Sequence, residues 1–294
     1  MQKNNHNNKP LRKPEWIRIH LPTHNRMANV NNILRENQHI TVCEEANCPN
    51  RLECYSCGTA TFMIMGDVCT RNCRFCNITH GKPKALDASE PKKLAETIVK
   101  MKLNYVVITS VDRDDLPDGG ANHYVGCIQA IREKNKNIKI EILTPDFEHC
   151  LENALTLFSN HLPDVFNHNI ETVPRLFKTI CPKCDYQISL LLLNEFKKRF
   201  PNVLTKSGIM VGLGETDDEI TEVLNDLRKN NVDMLTIGQY LQPSRNHIEV
   251  DRYITPDEFI AWKKRAIEMG FNYVASGPLV RSSYHAEEQT RIED

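Results

Sequence analysis

From residue 59 onward the chain alternates short apolar, β-branched runs with amphipathic stretches of helical period, and no other feature restricts its fold as sharply. Buried strands are read at 61–65, 105–110, 138–143, 165–169, 204–211 and 234–238, with a weaker seventh at 273–275. Helices are read between them at 89–102, 121–134, 148–159, 186–199, 217–230 and 256–269. Ser89 stands where an N-cap is expected, ahead of Glu90 and Pro91. Regular β-α alternation implies a parallel sheet covered by helices, either open and doubly wound or curled into a barrel. Chemistry in both collects at the C-terminal ends of the strands. The segments 69–76, 112–120, 144–146, 168–172, 212–216 and 239–244 are therefore predicted to converge on one face.

Seven of the eleven cysteines fall between Cys43 and Cys76. Cys43, Cys48 and Cys54 read C-x4-C-x5-C, and Cys69, Cys73 and Cys76 read C-x3-C-x2-C directly after the first strand. Thiolates are soft ligands that select iron-sulfur clusters, zinc or copper(I). A four-iron cluster bound by three of them keeps one iron for another ligand, as catalytic metal sites keep an open position. The competing reading makes Cys73 and Cys76 a CxxC redox pair or half of a zinc site. Cys181-Pro182-Lys183-Cys184 is a further CxxC, and Cys54 to Cys57 another. With Cys54 claimed by the first triplet, Cys57, Cys181 and Cys184 read as spare thiols, while a labile second metal there stays open. Cys127 and Cys150 read as core.

At 294 residues and 40% hydrophobic content the chain can bury a large core. A formal charge of -1 gives no bulk electrostatic case for nucleic acid or an anionic membrane. The polar N-terminus lacks an apolar signal region, and no run approaches the roughly 20 apolar residues of a spanning helix. A cytoplasmic address is expected. Clustered cysteines in odd number there point to metal ligation or redox work more than to disulfides. Residues 1–14 read as a disordered tail and 28–38 as a short helix, followed by a loop wrapped around the first triplet.

C-x3-C-x2-C with Phe75 before its last cysteine resembles the signature of the radical S-adenosylmethionine superfamily. The first triplet within Cys43-Glu44-Glu45-Ala46-Asn47-Cys48-Pro49-Asn50 and Cys54 resembles the auxiliary-cluster motif of the lipoyl synthase family. The segments Arg281-Ser282-Ser283-Tyr284, 114–120 and 212–216 resemble that family too, so that the likeness runs from about residue 16 to 286.

The resemblance implies an α/β fold, a partial parallel (β/α)6 TIM-type barrel over 59–280. It also implies an N-terminal cluster-binding extension over 15–58 and a C-terminal tail over 281–294. It implies two 4Fe-4S clusters. Cys69, Cys73 and Cys76 would hold one, whose open iron binds S-adenosyl-L-methionine and cleaves it to a 5'-deoxyadenosyl radical. Cys43, Cys48, Cys54 and the hydroxyl of Ser283 would hold the other, the source of two sulfurs inserted at carbons 6 and 8 of a lysine-bound octanoyl chain. Partners implied are octanoylated lipoyl-domain proteins (2-oxoacid dehydrogenase E2 subunits, glycine cleavage H protein), an electron donor such as ferredoxin or flavodoxin, and an iron-sulfur carrier.

Gly119, Gly120, Asn169, Glu171 and Lys206 are expected to contact S-adenosylmethionine, although Gly119-Gly120-Ala121 lacks the glutamate that the superfamily places after two glycines. Lys206, in mid-strand, needs a carboxylate partner if buried. Gly212-Leu213-Gly214 fails as a dinucleotide fingerprint because Asp217 holds the third glycine position, and it reads as a tight turn near S-adenosylmethionine. The acidic run 112–118 fails as a calcium loop because Pro117 stands at the glycine position. Rival readings are a biotin-synthase-like sulfur-inserting enzyme and a non-catalytic iron-sulfur or zinc protein.

Overall fold

The computed structural model describes residues 11–18, 26–36, 40–46, 48–56, 61–284 and 286–289. Cys57 and residues 1–10 of the expected tail lie outside them. The strands are β1 (Ile40–Thr41), β2 (Thr61–Ile64), β3 (Val68–Cys69), β4 (Thr79–His80), β5 (Tyr105–Ser110), β6 (Lys139–Leu143), β7 (Val165–Asn167), β8 (Leu204–Val211), β9 (Met234–Gln239) and β10 (Tyr273–Gly277). Eight of them form one sheet in the order β1-β2-β5-β6-β7-β8-β9-β10, and β3 pairs with β4 apart from it.

Every neighbouring pair in the large sheet is parallel except β1 with β2. A partial barrel is therefore the observed fold. The weak seventh run is a full member, since β10 pairs with β9 through five residues in register. The extension adds the antiparallel edge strand β1.

Helices Glu90–Met101, Ala121–Lys134, Leu151–Phe158, Tyr186–Arg199, Asp217–Lys229 and Pro256–Glu268 make the crossovers, close to the positions their periodicity predicts. In Asp217–Lys229 the buried positions Ile220, Val223, Leu224 and Leu227 recur every three or four residues, which turns one stripe toward the sheet. Thr216 with Glu219, and Thr255 with Glu258, form reciprocal capping boxes at two helix starts. At Ser89 the expected side-chain cap is not made, because its hydroxyl donates to Asp87 instead (2.6 Å). The core between helices and sheet includes Phe166 of β7 stacked on Phe196 at 3.7 Å, with Phe158 edge-on to both.

The inner face of the barrel is polar. Glu141 of β6 accepts from Tyr105 Oη (2.6 Å), Asn167 Nδ2 (2.8 Å) and Lys206 Nζ (3.0 Å), and both Glu141 and Lys206 are fully buried. After β10 the chain turns inward. Lys206 Nζ donates to the Ser282 carbonyl at 2.6 Å, and Ala286 packs against Tyr105 and Val107. Gly238 permits this path, since a Cβ there would run into the Val280 carbonyl oxygen.

Candidate active site: one cysteine triplet and two cysteines of the other on one cavity

A cavity of about 980 Å³ lies at the C-terminal ends of the strands. Its lining includes Cys69, Cys73 and Cys76 after β2, Asp112 after β5, Thr144 to Asp146 after β6, and His168, Asn169 and Glu171 after β7. Gln239 to Pro243 after β9 line it as well. The predicted convergence holds for these loops. It does not extend to Gly212–Thr216, where Glu215 accepts from the backbone N–H groups of Gly212 (2.5 Å) and Leu213 (2.9 Å) and closes a tight turn away from the lining.

Backbone N–H groups of Asp112 (3.3 Å) and Arg71 (3.4 Å) point at Cys69 Sγ, an arrangement that favours sulfur as thiolate. His247 Nε2 meets the Cys76 carbonyl (3.0 Å), fastening the loop after β9 over the cysteine loop. Arg71 is buried and pairs with Asp146 (2.6 Å) and Asp114 (2.8 Å), so that one guanidinium ties three loops together. Burial pushes the Cys69 thiol up to about 12 and the Cys76 thiol up to about 11. Metal ligation at such thiols releases their protons.

Cys43 and Cys48 line the same cavity from the extension, as does Ser283 from the tail. The expected loop is partly helical: Cys43 sits in Val42–Glu45 and Cys54 in Arg51–Ser56, with Cys48 between them. Burial pushes Cys43 up to about 11. Thr61 Oγ1 donates to Ser283 Oγ at 2.8 Å. Asn50 Nδ2 donates to the Leu279 carbonyl (2.6 Å) and Tyr284 Oη to Glu53 (2.9 Å), which binds the tail to the cysteine loop on both sides of Ser283.

Residues 63–227 match the Radical SAM superfamily. The chain is 60% identical over 284 residues to lipoyl synthase of Coxiella burnetii (strain Dugway 5J108-111), covering 97% of this chain and 90% of that protein. It is also 60% identical over 281 residues to lipoyl synthase of Laribacter hongkongensis (strain HLHK9), covering 96% and 89%. The chain belongs to the lipoyl synthase family. Among solved structures, methylornithine synthase superposes with a TM-score of 0.55 at 13% identity, covering 91% of this chain and 88% of that one. HydG, a maturase of FeFe hydrogenase, gives 0.56 at 14% identity, covering 86% and 58%. Both are likenesses of fold alone.

As a member of the lipoyl synthase family the chain must accommodate S-adenosylmethionine, and its cavity has groups of matching chemistry. His168 Nδ1 faces the Thr144 carbonyl (2.8 Å), while His168 Nε2 and Thr144 Oγ1 are buried without a hydrogen-bond partner. Unpaired buried polar atoms of this kind suit a polar ligand. Glu171, at φ 66°, turns toward the cavity and is pushed up to about 8 by burial, with Asn169 acting against that shift. Asn169 Oδ1 accepts from Ser282 Oγ (2.8 Å).

Three of the expected contact residues stand elsewhere. Gly119 and Gly120 lie outside the cavity lining and open the helix Ala121–Lys134, where a Cβ on Gly120 would strike Met65. Lys206 also lies outside the lining, because Glu141 and the Ser282 carbonyl take up its ammonium. Cys181 and Cys184, read as spare thiols with a labile metal left open, come to lie beside Cys73. Their sulfurs and that of Cys73 lie within 4.8 Å of one another. Hydrogen bonds from Cys181 and Cys73, with Arg71 nearby, hold the Cys184 thiol well below its usual range. Cys127 is core as expected, whereas Cys150 is half-buried at the start of Leu151–Phe158.

Proposed function

We propose that this chain is a sulfurtransferase that inserts two sulfur atoms at carbons 6 and 8 of an octanoyl group carried on a lysine of a lipoyl domain. Its cofactors are two 4Fe-4S clusters, with S-adenosylmethionine as co-substrate. The observation that carries the reading is that Cys43, Cys48 and Ser283 line the same cavity as Cys69, Cys73 and Cys76, in a chain 60% identical to lipoyl synthases over nearly its whole length. The C–H bonds at carbons 6 and 8 are unactivated, so no side-chain acid, base or nucleophile can break them and cofactor radical chemistry is required.

In this reading Cys69, Cys73 and Cys76 hold the cluster that, when bound, supplies the electron for S-adenosylmethionine cleavage. Cys43, Cys48, Cys54 and Ser283 hold the cluster that gives up sulfur. The protein's own work is positioning and exclusion of water. Asp112 and Arg71 orient Cys69 through their N–H groups, and Glu171 with Asn169 offers acceptors to the methionyl amine. Because Ser283 Oγ accepts from Thr61, its own proton is left free to depart when the oxygen binds iron. A serine oxygen is a harder partner for iron than a thiolate and releases it more readily.

The extension over 15–58, the barrel over 59–280 and the tail over 281–294 act as one unit around the two cysteine triplets. The partners are octanoylated lipoyl-domain proteins, among them dehydrogenase E2 subunits and the glycine cleavage H protein. A ferredoxin or flavodoxin supplies electrons, and an iron-sulfur carrier rebuilds the auxiliary cluster. The working compartment is the cytoplasm; among the described residues no helix is long and apolar enough to cross a membrane.

The test is anaerobic reconstitution followed by turnover. About eight irons with matching sulfide per chain are expected. Alanine at Cys69, Cys73 or Cys76 should abolish S-adenosylmethionine cleavage, whereas alanine at Cys43, Cys48 or Cys54 should leave cleavage and block sulfur insertion. Lipoyl product from the second set would overturn the sulfur-donor assignment.

A further inference from the structure

Cys181 and Cys184 stand far from the cysteine triplets in sequence, yet with Cys73 they form a group of three sulfurs all within 4.8 Å of one another. The loop that carries them is fixed from several directions. Cys181 N–H donates to Phe177 O (2.7 Å) at the end of helix Pro174–Ile180, and Cys184 N–H donates to Cys181 O (3.0 Å), closing the turn. Lys178 Nζ reaches Cys184 O at 2.8 Å. The turn is also joined to the cluster loop: Arg74 N–H donates to Ile180 O (2.8 Å), and Lys183 Nζ donates to Thr70 O (2.8 Å). Arg71 Nη1 lies 3.5 Å from Cys184 Sγ. The three sulfurs are thus brought together by backbone and side-chain contacts on both loops.

Their spacing distinguishes between metal species. A tetrahedral ion with metal–sulfur bonds of about 2.3 Å holds its thiolates roughly 3.8 Å apart. A four-iron cluster interposes itself between its thiolates and spreads them farther. Among the described residues no other group of three or more cysteine, histidine or carboxylate ligands is gathered this closely. All three sulfurs border the main cavity, so an ion there can be reached.

We propose that Cys73, Cys181 and Cys184 bind a single thiophilic divalent ion, zinc or iron(II), in the cluster-free chain, and that this occupancy and cluster assembly through Cys73 exclude one another. The binding site stands on the three sulfurs alone. The exclusion rests additionally on the assignment of Cys73 to the S-adenosylmethionine cluster. Binding leaves all three sulfurs as thiolates and releases to solvent whatever protons they still carry, with no change of oxidation state. Three sulfurs would leave one position of a four-coordinate ion to water.

The test is anaerobic titration of the cluster-free full-length chain with cobalt(II), read by thiolate-to-metal absorption, with zinc displacement as a check. One tightly bound equivalent should disappear in C181A/C184A and in C73A. It should persist in C69A/C76A and in C43A/C48A/C54A. Unchanged binding by C181A/C184A overturns the site, and so does equal loss in C69A/C76A, which would place the ion on the cluster triplet. Far-UV circular dichroism and thermal unfolding of C181A/C184A separate loss of ligands from loss of fold. For the exclusion, C43A/C48A/C54A is preloaded with one equivalent of zinc and then supplied with iron and sulfide. Cluster absorbance should be suppressed, and adding C181A/C184A should abolish the zinc effect. Assembly at the unloaded rate overturns the exclusion. None of these readouts involves octanoyl turnover, so their failure is distinguishable from failure of the sulfur-insertion reading.

Discussion

Lys206 Nζ, fully buried inside the barrel, donates to the backbone carbonyl of Ser282 at 2.6 Å, one residue before the serine assigned to the auxiliary cluster. Its charge is met by Glu141, which Tyr105 and Asn167 hold in turn. A cation expected to contact cofactor instead anchors the segment that carries Ser283.

Lys206→Met should therefore separate two activities. Breaking a buried ion pair from one side costs about 3–5 kcal/mol, because Glu141 is left uncompensated, so a lower unfolding temperature is expected. In the fraction that stays folded, lipoyl product formed per S-adenosylmethionine cleaved should fall. A proportional loss of both would mean that Lys206 supports the fold without positioning the tail.

Ser283→Ala removes the oxygen and should block sulfur insertion while cleavage persists, as measured by chromatography of both products. Thr61→Val keeps the serine but deletes the 2.8 Å hydrogen bond to it. With one net hydrogen bond worth about 1 kcal/mol, a partial loss of insertion is expected. Equal damage by both variants would show that the serine works only when held by Thr61.

Gly238→Ala should displace the tail from the barrel, because the new methyl group and the Val280 carbonyl cannot share the same space. Limited proteolysis should then cut after β10 faster than in the parent chain. Protection equal to the parent would show that the tail has another path.

At the opposite end of the barrel, Asp164 accepts from the Ile140 N–H and pairs with Lys139 and Arg132, which hold its carboxyl below the usual carboxylate range despite partial burial. A depressed folded-state pKa gives stability that is present above the unfolded value of about 3.9 and lost as pH falls through the folded pKa. Denaturant titrations of parent and Asp164→Asn should differ by on the order of 1 kcal/mol at neutral pH and converge as the pH falls below the usual carboxylate range. A constant difference at all pH values would remove the charge from the explanation.

The barrel was largely legible in the sequence because its helices and strands have strong periods. Ala121–Lys134, Tyr186–Arg199 and the strand Leu204–Val211 match their predicted limits. The last strand, Tyr273–Gly277, was weak because it ends in small and polar residues, and its pairing with β9 rather than its own pattern makes it a strand. Helix Pro174–Ile180 is too short to show a period, and β1 has only two residues. The cysteine triplets were readable from local spacing. The meeting of Cys73 with Cys181 and Cys184 was not, since it depends on how two loops from different strands pack, although a second CxxC in a cysteine-rich chain was the available signal. Lys206 in mid-strand announced a buried carboxylate, but Glu141 gave no sign of being it within a strand of otherwise alternating character.

The hydrogen bonds from Asn50 to Leu279, Thr61 to Ser283 and Tyr284 to Glu53 join residues 229, 222 and 231 positions apart. Each closes more than 220 residues into a loop, whereas the strand pairs of the barrel join neighbours in sequence. Long closures carry the larger entropy cost and form late in folding, on a scaffold already made. The contacts around Cys43 and Ser283 are therefore expected to form after the barrel strands have paired. Opening of these few contacts would uncover Cys43, Cys48 and Cys54 while the strand pairs of the barrel stay intact.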